Sequence, residues 1–232
     1  MVVKRRRFAF ATSLAFVAAG ALLIATGETA IGLMSVLFFG GGALVLGLPL
    51  LNRAGGEAVR RTSFDGEPAF LFPISRLKQG VVVLAGLGMG AAGMLIALAG
   101  SLFIGVACAV FFGGVAVIGL VSLRGERGLF LTPRRIVARF NGEAEIAWED
   151  LASVEVDDYG SAPFLTLVGR VHHRRGAWLA RLNRRLLPVS ITLPANSFVG
   201  DPQRIVAAVA AYREDERRRE WIGMPEEHAR LR

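Results

Sequence analysis

Few residues in this chain are of a type and spacing that could do chemistry, and the densest set is basic. Residues 159–200 contain no acid but six arginines, Arg170, Arg174, Arg175, Arg181, Arg184 and Arg185, with His172 and His173 among them. Trp178, Leu179, Leu182 and Leu186 recur there at helical spacing, and the arginines take other positions. A helix with an aromatic-aliphatic face and an Arg-rich face suits the headgroup layer of a membrane. Each Arg near an anionic leaflet contributes about 1 kcal/mol. A solvated loop with its apolar residues tucked against a domain fits the same pattern, so both readings of 170–187 stay open. Arg170, Arg174, Arg175, Trp178, Arg181, Arg184 and Arg185 are therefore the candidate contacts with a membrane or partner.

The other reactive types point to less. His172-His173 lacks companions for a metal site and His228 is remote in sequence, so no metal is expected. The only cysteine, Cys108, sits in an apolar run, which leaves neither a disulfide nor a thiolate metal site. Glu28 lies between two apolar runs and reads as a solvated turn carboxylate rather than an ion ligand. No nucleophile–base pair, phosphate loop or carboxylate dyad stands in supporting context. The expectation is a protein without catalytic residues or a cofactor.

Those residues hang on a chain that is 53% hydrophobic with mean hydropathy +0.48, too apolar for an ordinary soluble domain. The net charge is +8. Up to residue 123, nine basic residues face four acids, and beyond it eighteen arginines face fifteen acids. Most of the basic residues of the first half flank apolar spans, so anionic lipid is a simpler partner than nucleic acid.

Lys4-Arg5-Arg6-Arg7 precedes an uncharged run over 8–27, and a second run over 30–51 follows after only Gly27-Glu28-Thr29. A basic start also fits a secretory or twin-arginine signal. The immediate second run predicts a helical hairpin instead. Residues 80–123 carry no charge; as one helix they would measure about 66 Å, roughly twice a hydrocarbon core. They predict a second hairpin turning at Gly100-Ser101. Phe38-Phe39-Gly40-Gly41 resembles Phe111-Phe112-Gly113-Gly114, each in the second helix of its hairpin, which suggests a duplicated unit. Gly86, Gly90, Gly93 and the run 40–42 read as close helix packing. Lysine and arginine occur at both termini and in the middle loop but in neither short turn, so both termini are expected to be cytoplasmic.

From residue 128 the apolar residues come in short groups, which predicts strands near 129–132, 135–140, 144–148, 152–157, 164–171 and 188–193. Asn141-Gly142 is a hairpin turn signal. Asp201-Pro202 starts a helix as N-cap and first residue, and Ile205, Val209 and Tyr212 form its apolar stripe. The expected division is 1–52 first transmembrane hairpin, 53–79 basic cytoplasmic loop, 80–123 second transmembrane hairpin, 124–213 sheet domain and 214–232 charged tail. The tail is expected to continue the helix and then fray.

The stretch Leu129-Phe130-Leu131-Thr132-Pro133-Arg134-Arg135-Ile136, then Ile146-Ala147-Trp148-Glu149-Asp150-Leu151, then the helix over 201–212, resembles bacterial pleckstrin-homology-like (PH-like) domains. Together with a basic pair, a helical hairpin and a Phe-Phe-Gly element before them, these motifs over 76–212 resemble small bacterial membrane proteins carrying such a domain. The resemblance implies a PH-like barrel with a C-terminal helix at the cytoplasmic face, an interaction or regulatory role, and no known chemistry. Trp148 is then expected in the barrel core, with its N–H bonded locally. Arg134 and Arg135 correspond to the phosphate-binding first turn of eukaryotic PH domains, but the turn is short and reads as solvated. The fold class expected is thus four transmembrane helices in two hairpins plus an α+β PH-like barrel. The function expected is an inner-membrane protein whose cytoplasmic module binds anionic lipid headgroups or another membrane or cytoplasmic protein. The alternative is an accessory or small transport-related membrane protein, which the absence of charge at every span centre disfavours.

Overall fold

The computed structural model describes residues 2–47, 57–140, 142–159, 162–175 and 190–231. They form two compact units, one of helices (Met1–Leu51 and Arg76–Arg124) and one rich in sheet (Asn52–Ser75 and Gly125–Arg232).

The helical unit contains α1 (Val2–Ala25), α2 (Thr29–Gly47), α3 (Arg76–Leu98) and α4 (Leu102–Ser122). All four are long and apolar enough to cross a membrane. α2 packs on both α1 and α3, and α3 packs on α4, so the helices form a row with α1 and α4 at its ends. The two hairpins repeat each other at an offset of 73 residues. α1 and α3 end at Ala25 and Leu98, and α2 and α4 begin at Thr29 and Leu102. Each turn carries a glycine at positive φ, +100° at Gly27 and +104° at Gly100, a region that costs other residues strain. The closest backbone approach recurs too. A Cβ at Gly20 would lie 2.8 Å from the Gly32 carbonyl oxygen, and one at Gly93 would lie 2.9 Å from that of Gly105. Only glycine allows helices so near. The Phe-Phe-Gly elements meet across the row, with the Phe38 and Phe112 rings edge to face at 6.1 Å.

The sheet-rich unit differs from the expected layout in one respect that changes its boundaries. The segment 53–79, read from sequence as a connecting loop, contains β1 (Arg60–Phe64) and β2 (Glu67–Pro73), and its end is the first turn of α3. β1 and β2 form a hairpin whose two turn residues, Asp65 (φ +51°) and Gly66 (φ +82°), have the positive φ values of a type I′ turn. β2 then pairs antiparallel with β3 (Gly128–Leu131), Phe70 opposite Leu131 and Phe72 opposite Leu129. The α3–α4 hairpin is therefore an insertion between two neighbouring strands. Phe64-Asp65-Gly66-Glu67 also resembles Phe140-Asn141-Gly142-Glu143 in sequence.

β4 (Arg135–Arg139), β5 (Glu143–Ala147) and β8 (His172–Arg175) complete an antiparallel sheet of order β1-β2-β3-β4-β5-β8. β6 (Leu151–Tyr159), β7 (Ala162–Gly169) and β9 (Ser190–Pro194) form a separate three-stranded sheet, and among the described residues the two do not close into one barrel. Successive side chains along a strand point to opposite faces, which sends Phe70, Phe72, Leu129, Leu131, Ile136 and Ile146 into a core shared with Leu165, Leu167 and Leu193 of the smaller sheet. α5 (Pro202–Glu214) closes that core with Ile205, Ala208, Val209 and Tyr212. Its start is as the sequence indicates: Asp201 Oδ1 accepts from the Gln203 N–H at 3.0 Å, with Pro202 at the first helical position. Trp148 is buried, and its indole N–H donates to the Thr132 carbonyl at 2.9 Å.

The tail is the second difference. Instead of fraying, it turns through α6 (Glu216–Arg219) and α7 (Pro225–Leu231) and packs back on the sheet, with Ile222 buried in the main core.

Candidate functional site

The basic set picked out by sequence begins at the end of β7. Arg170 is exposed, its backbone N–H held by the Asp150 carbonyl at 3.3 Å. The chain then enters β8, an edge strand that neither the helix nor the loop reading of 170–187 anticipated, where His172 stands opposite Glu145 and Arg175 opposite Glu143 across a bulge. Arg174 and Arg175 thus belong to the last strand in the order of the larger sheet. Trp178, Arg181, Arg184 and Arg185 lie outside the described residues, as does the expected helix over them. They belong to the connection that leaves β8 at one edge of the six-stranded sheet and enters β9 at an edge of the three-stranded one.

The arginines of the first turn and of β4 are in a different situation, because each is engaged by a carboxylate. Arg134 Nε is 3.6 Å from Glu67, and Arg135 lies 3.2 Å from Asp65 and 3.5 Å from Glu145. Arg139 binds Glu143 at 2.6 Å, and its guanidinium lies over the rings of Phe64 (4.9 Å) and Phe130 (5.6 Å). Phe64, Ala69, Leu71, Phe130 and Val137 make a second small apolar cluster. A cation over desolvated aromatic faces is attracted to their π quadrupoles. The alternation of acid and base matches these three arginines, and the first turn presents no free arginine pair for a phosphate.

A third charged group is buried and belongs to the tail. The Glu227 carboxylate accepts from the Tyr212 hydroxyl at 3.0 Å and from Arg218 Nε at 2.6 Å, and Arg230 stands 3.4 Å away. Arg218 also lies over the Tyr212 ring, and Arg219 over the Trp148 ring. His228 stacks on Phe70 with ring centroids 5.9 Å apart and donates its Nε2–H to the Val59 carbonyl at 3.0 Å. These residues escaped the sequence reading because Glu227 and Arg218 look like any surface ion pair. The one local hint is the apolar pair Trp221-Ile222 inside the charged tail.

Burial, and then the neighbouring Glu227 charge and hydrogen bond, push the Tyr212 hydroxyl above its usual pKa. The folded chain therefore holds this proton more tightly than the unfolded one. Its stabilisation is fully present below about pH 10, the unfolded tyrosine value, and is lost as the pH rises beyond it. Amide exchange of α5 is expected to accelerate more steeply from pH 9 to 11 in the native chain than in Tyr212→Phe, after correction for the intrinsic rate. Equal slopes would show that this hydroxyl does not carry the effect. Losing the hydrogen bond itself costs about 1 kcal/mol at neutral pH, since Glu227 keeps both arginines.

Among the described residues no group of three His, Cys, Asp or Glu side chains could hold a metal ion. His172 lies 4.0 Å from Asp150 and His228 sits 3.7 Å from Glu57. No protein-family model, curated protein or solved structure matches this chain.

Proposed function

We propose that this chain is a bacterial inner-membrane protein, both termini cytoplasmic, whose sheet-rich unit is a PH-like interaction module that binds anionic lipid headgroups through the β8–β9 connection. The reading is one of binding, without catalysis. Its main support is a contrast in local charge composition. Arg134, Arg135 and Arg139 are matched by Glu67, Asp65, Glu145 and Glu143, whereas 159–200 contains six arginines and no acid. A segment with a large excess of cations over acids along its own length attracts an anionic surface. The PH-like reading draws on the motifs quoted above and on two antiparallel sheets covered by a C-terminal helix. The orientation draws on the lysines and arginines at both ends and between the hairpins.

The test uses the whole chain, because a piece starting at 124 lacks β1 and β2. Gly176→Cys in a Cys108→Ala background, labelled with an environment-sensitive fluorophore, is placed in nanodiscs of phosphatidylcholine or of phosphatidylcholine with phosphatidylglycerol. A blue shift confined to the anionic discs, reversed by salt and by Arg181→Glu with Arg184→Glu and Arg185→Glu, is the expected result. Identical emission in both discs would exclude headgroup binding by this segment.

A further inference from the structure

The helical row is made of two equivalent hairpins but has unequal surroundings. Between the repeats, α2 packs on α3 so closely that a Cβ at Gly41 would meet the Ala85 carbonyl and the Met89 side chain, each at 2.9 Å, and one at Gly88 would lie 3.3 Å from the Leu37 carbonyl. Moving each α2 position 73 residues along gives α4, where Gly114 replaces Gly41 and Val110 replaces Leu37. There the same face is bare. Gly114 has nothing within 4 Å of its would-be Cβ, and Val110 is 69% exposed.

The grooves beside these faces show the same difference. Leu14, Val17, Val36, Leu37 and Gly40 line an apolar groove of about 600 Å³ that α3 walls with Val81, Leu84 and Gly88. Leu87, Gly90, Ala109, Val110 and Gly113, the five counterparts, line a groove of about 370 Å³ on α3 and α4. Among the described residues no third helix walls it. The residues that would supply that wall by the same offset are Phe8, Ala11 and Ala15, all on the exposed side of α1 at the other end of the row.

From this equivalence we infer that α4 is a docking surface for α1 of a second copy of this chain, which repeats between copies the α2–α3 interface found within one. The contact is heterologous, since α4 of one copy meets α1 of the next, and it builds a head-to-tail oligomer rather than a two-fold dimer. Backbone approach at glycine and alanine provides the packing, as in other membrane helix pairs. The inference needs the helices to lie in a bilayer but not the headgroup contact, so either can fail alone.

The decisive experiment is disulfide trapping in proteoliposomes, in a Cys108→Ala background. Differently tagged chains carrying Ala15→Cys or Val110→Cys are reconstituted together and oxidised. Ala15 and Val110 are the counterparts of Gly88 and Leu37, so the mixed disulfide should form well above either homotypic product. Gly114→Leu, which fills an open face and leaves the intrachain packing alone, should lower the mixed product about tenfold, a modest change in association free energy. Single-molecule photobleaching of the native chain should show more than one copy per particle. No mixed product, homotypic products in equal yield, or single-copy particles with lipid along α4 would each overturn the assignment.

Discussion

Truncation after Glu214 is expected to unfold the sheet-rich unit, although it removes only the stretch that reads as a charged tail. The deleted residues include Ile222 from the main core, Glu227 from the hydroxyl of Tyr212 and His228 from the face of Phe70. They also include Gly223, whose carbonyl accepts from Arg61 of β1 at 2.9 Å. Losing one large apolar side chain from a core costs about 2–5 kcal/mol, and the tyrosine hydroxyl left buried without its acceptor adds about 1–3 kcal/mol. Together they approach the whole stability of a typical domain, about 5–15 kcal/mol. The single substitution Glu227→Ala separates the ionic part from the rest. Its partners Arg218 and Arg230 are partly exposed, 31% and 65%, so its cost falls at about 2–3 kcal/mol, below that of breaking a fully buried pair. Hydrogen exchange of β2 and α5 in the full-length chain is the measurement. A truncated chain with native protection in those elements would mean that the tail is not part of the fold.

Gly105→Val is expected to be the most damaging single change in the helical unit. A Cβ there would run into the Ala97 backbone and lie 2.6 Å from the Gly93 carbonyl oxygen. Backbone cannot rotate aside as a side chain can, so α3 and α4 must separate and their packing is lost. Overpacking of this kind costs about 3 kcal/mol or more. Gly32→Val should act alike on α1 and α2, because Gly32 occupies the equivalent place. Gly80→Ala, at a helical glycine with open space around it, should be neutral or stabilising by up to about 1 kcal/mol. Unfolding in mixed detergent micelles, followed by circular dichroism, ranks the three. Equal midpoints for Gly105→Val and Gly80→Ala would contradict the close approach.

What was legible in the sequence was what depends on neighbours along the chain. A run of some twenty apolar residues specifies a spanning helix whatever else the chain does, and Gly27 and Gly100 mark turns through their own φ values. Short apolar groups between turn residues marked β3 to β7 to within a few residues, and Asp201-Pro202 marked the start of α5 through a hydrogen bond two residues long. Trp148 could be assigned to the core because a large indole that finds a local carbonyl is best buried. The offset of the Phe-Phe-Gly elements likewise pointed to a repeat that the helix ends then share.

Tertiary structure decided what depends on distant partners. β1 and β2 carry a turn signal at Asp65-Gly66, but it lies in a basic stretch between two membrane hairpins. Only the pairing of β2 with β3, across the inserted residues 74–127, shows that this stretch belongs to the sheet. Strand pairing is non-local, so no window of sequence contains it. The tail was misread for a similar reason, since whether Glu227 is solvated or buried against Tyr212 depends on a surface that its neighbours do not encode. The two open sheets, and the walled and unwalled grooves beside equivalent hairpins, are also decided at that level. Identical local patterns acquire different surroundings only once the chain is folded around them.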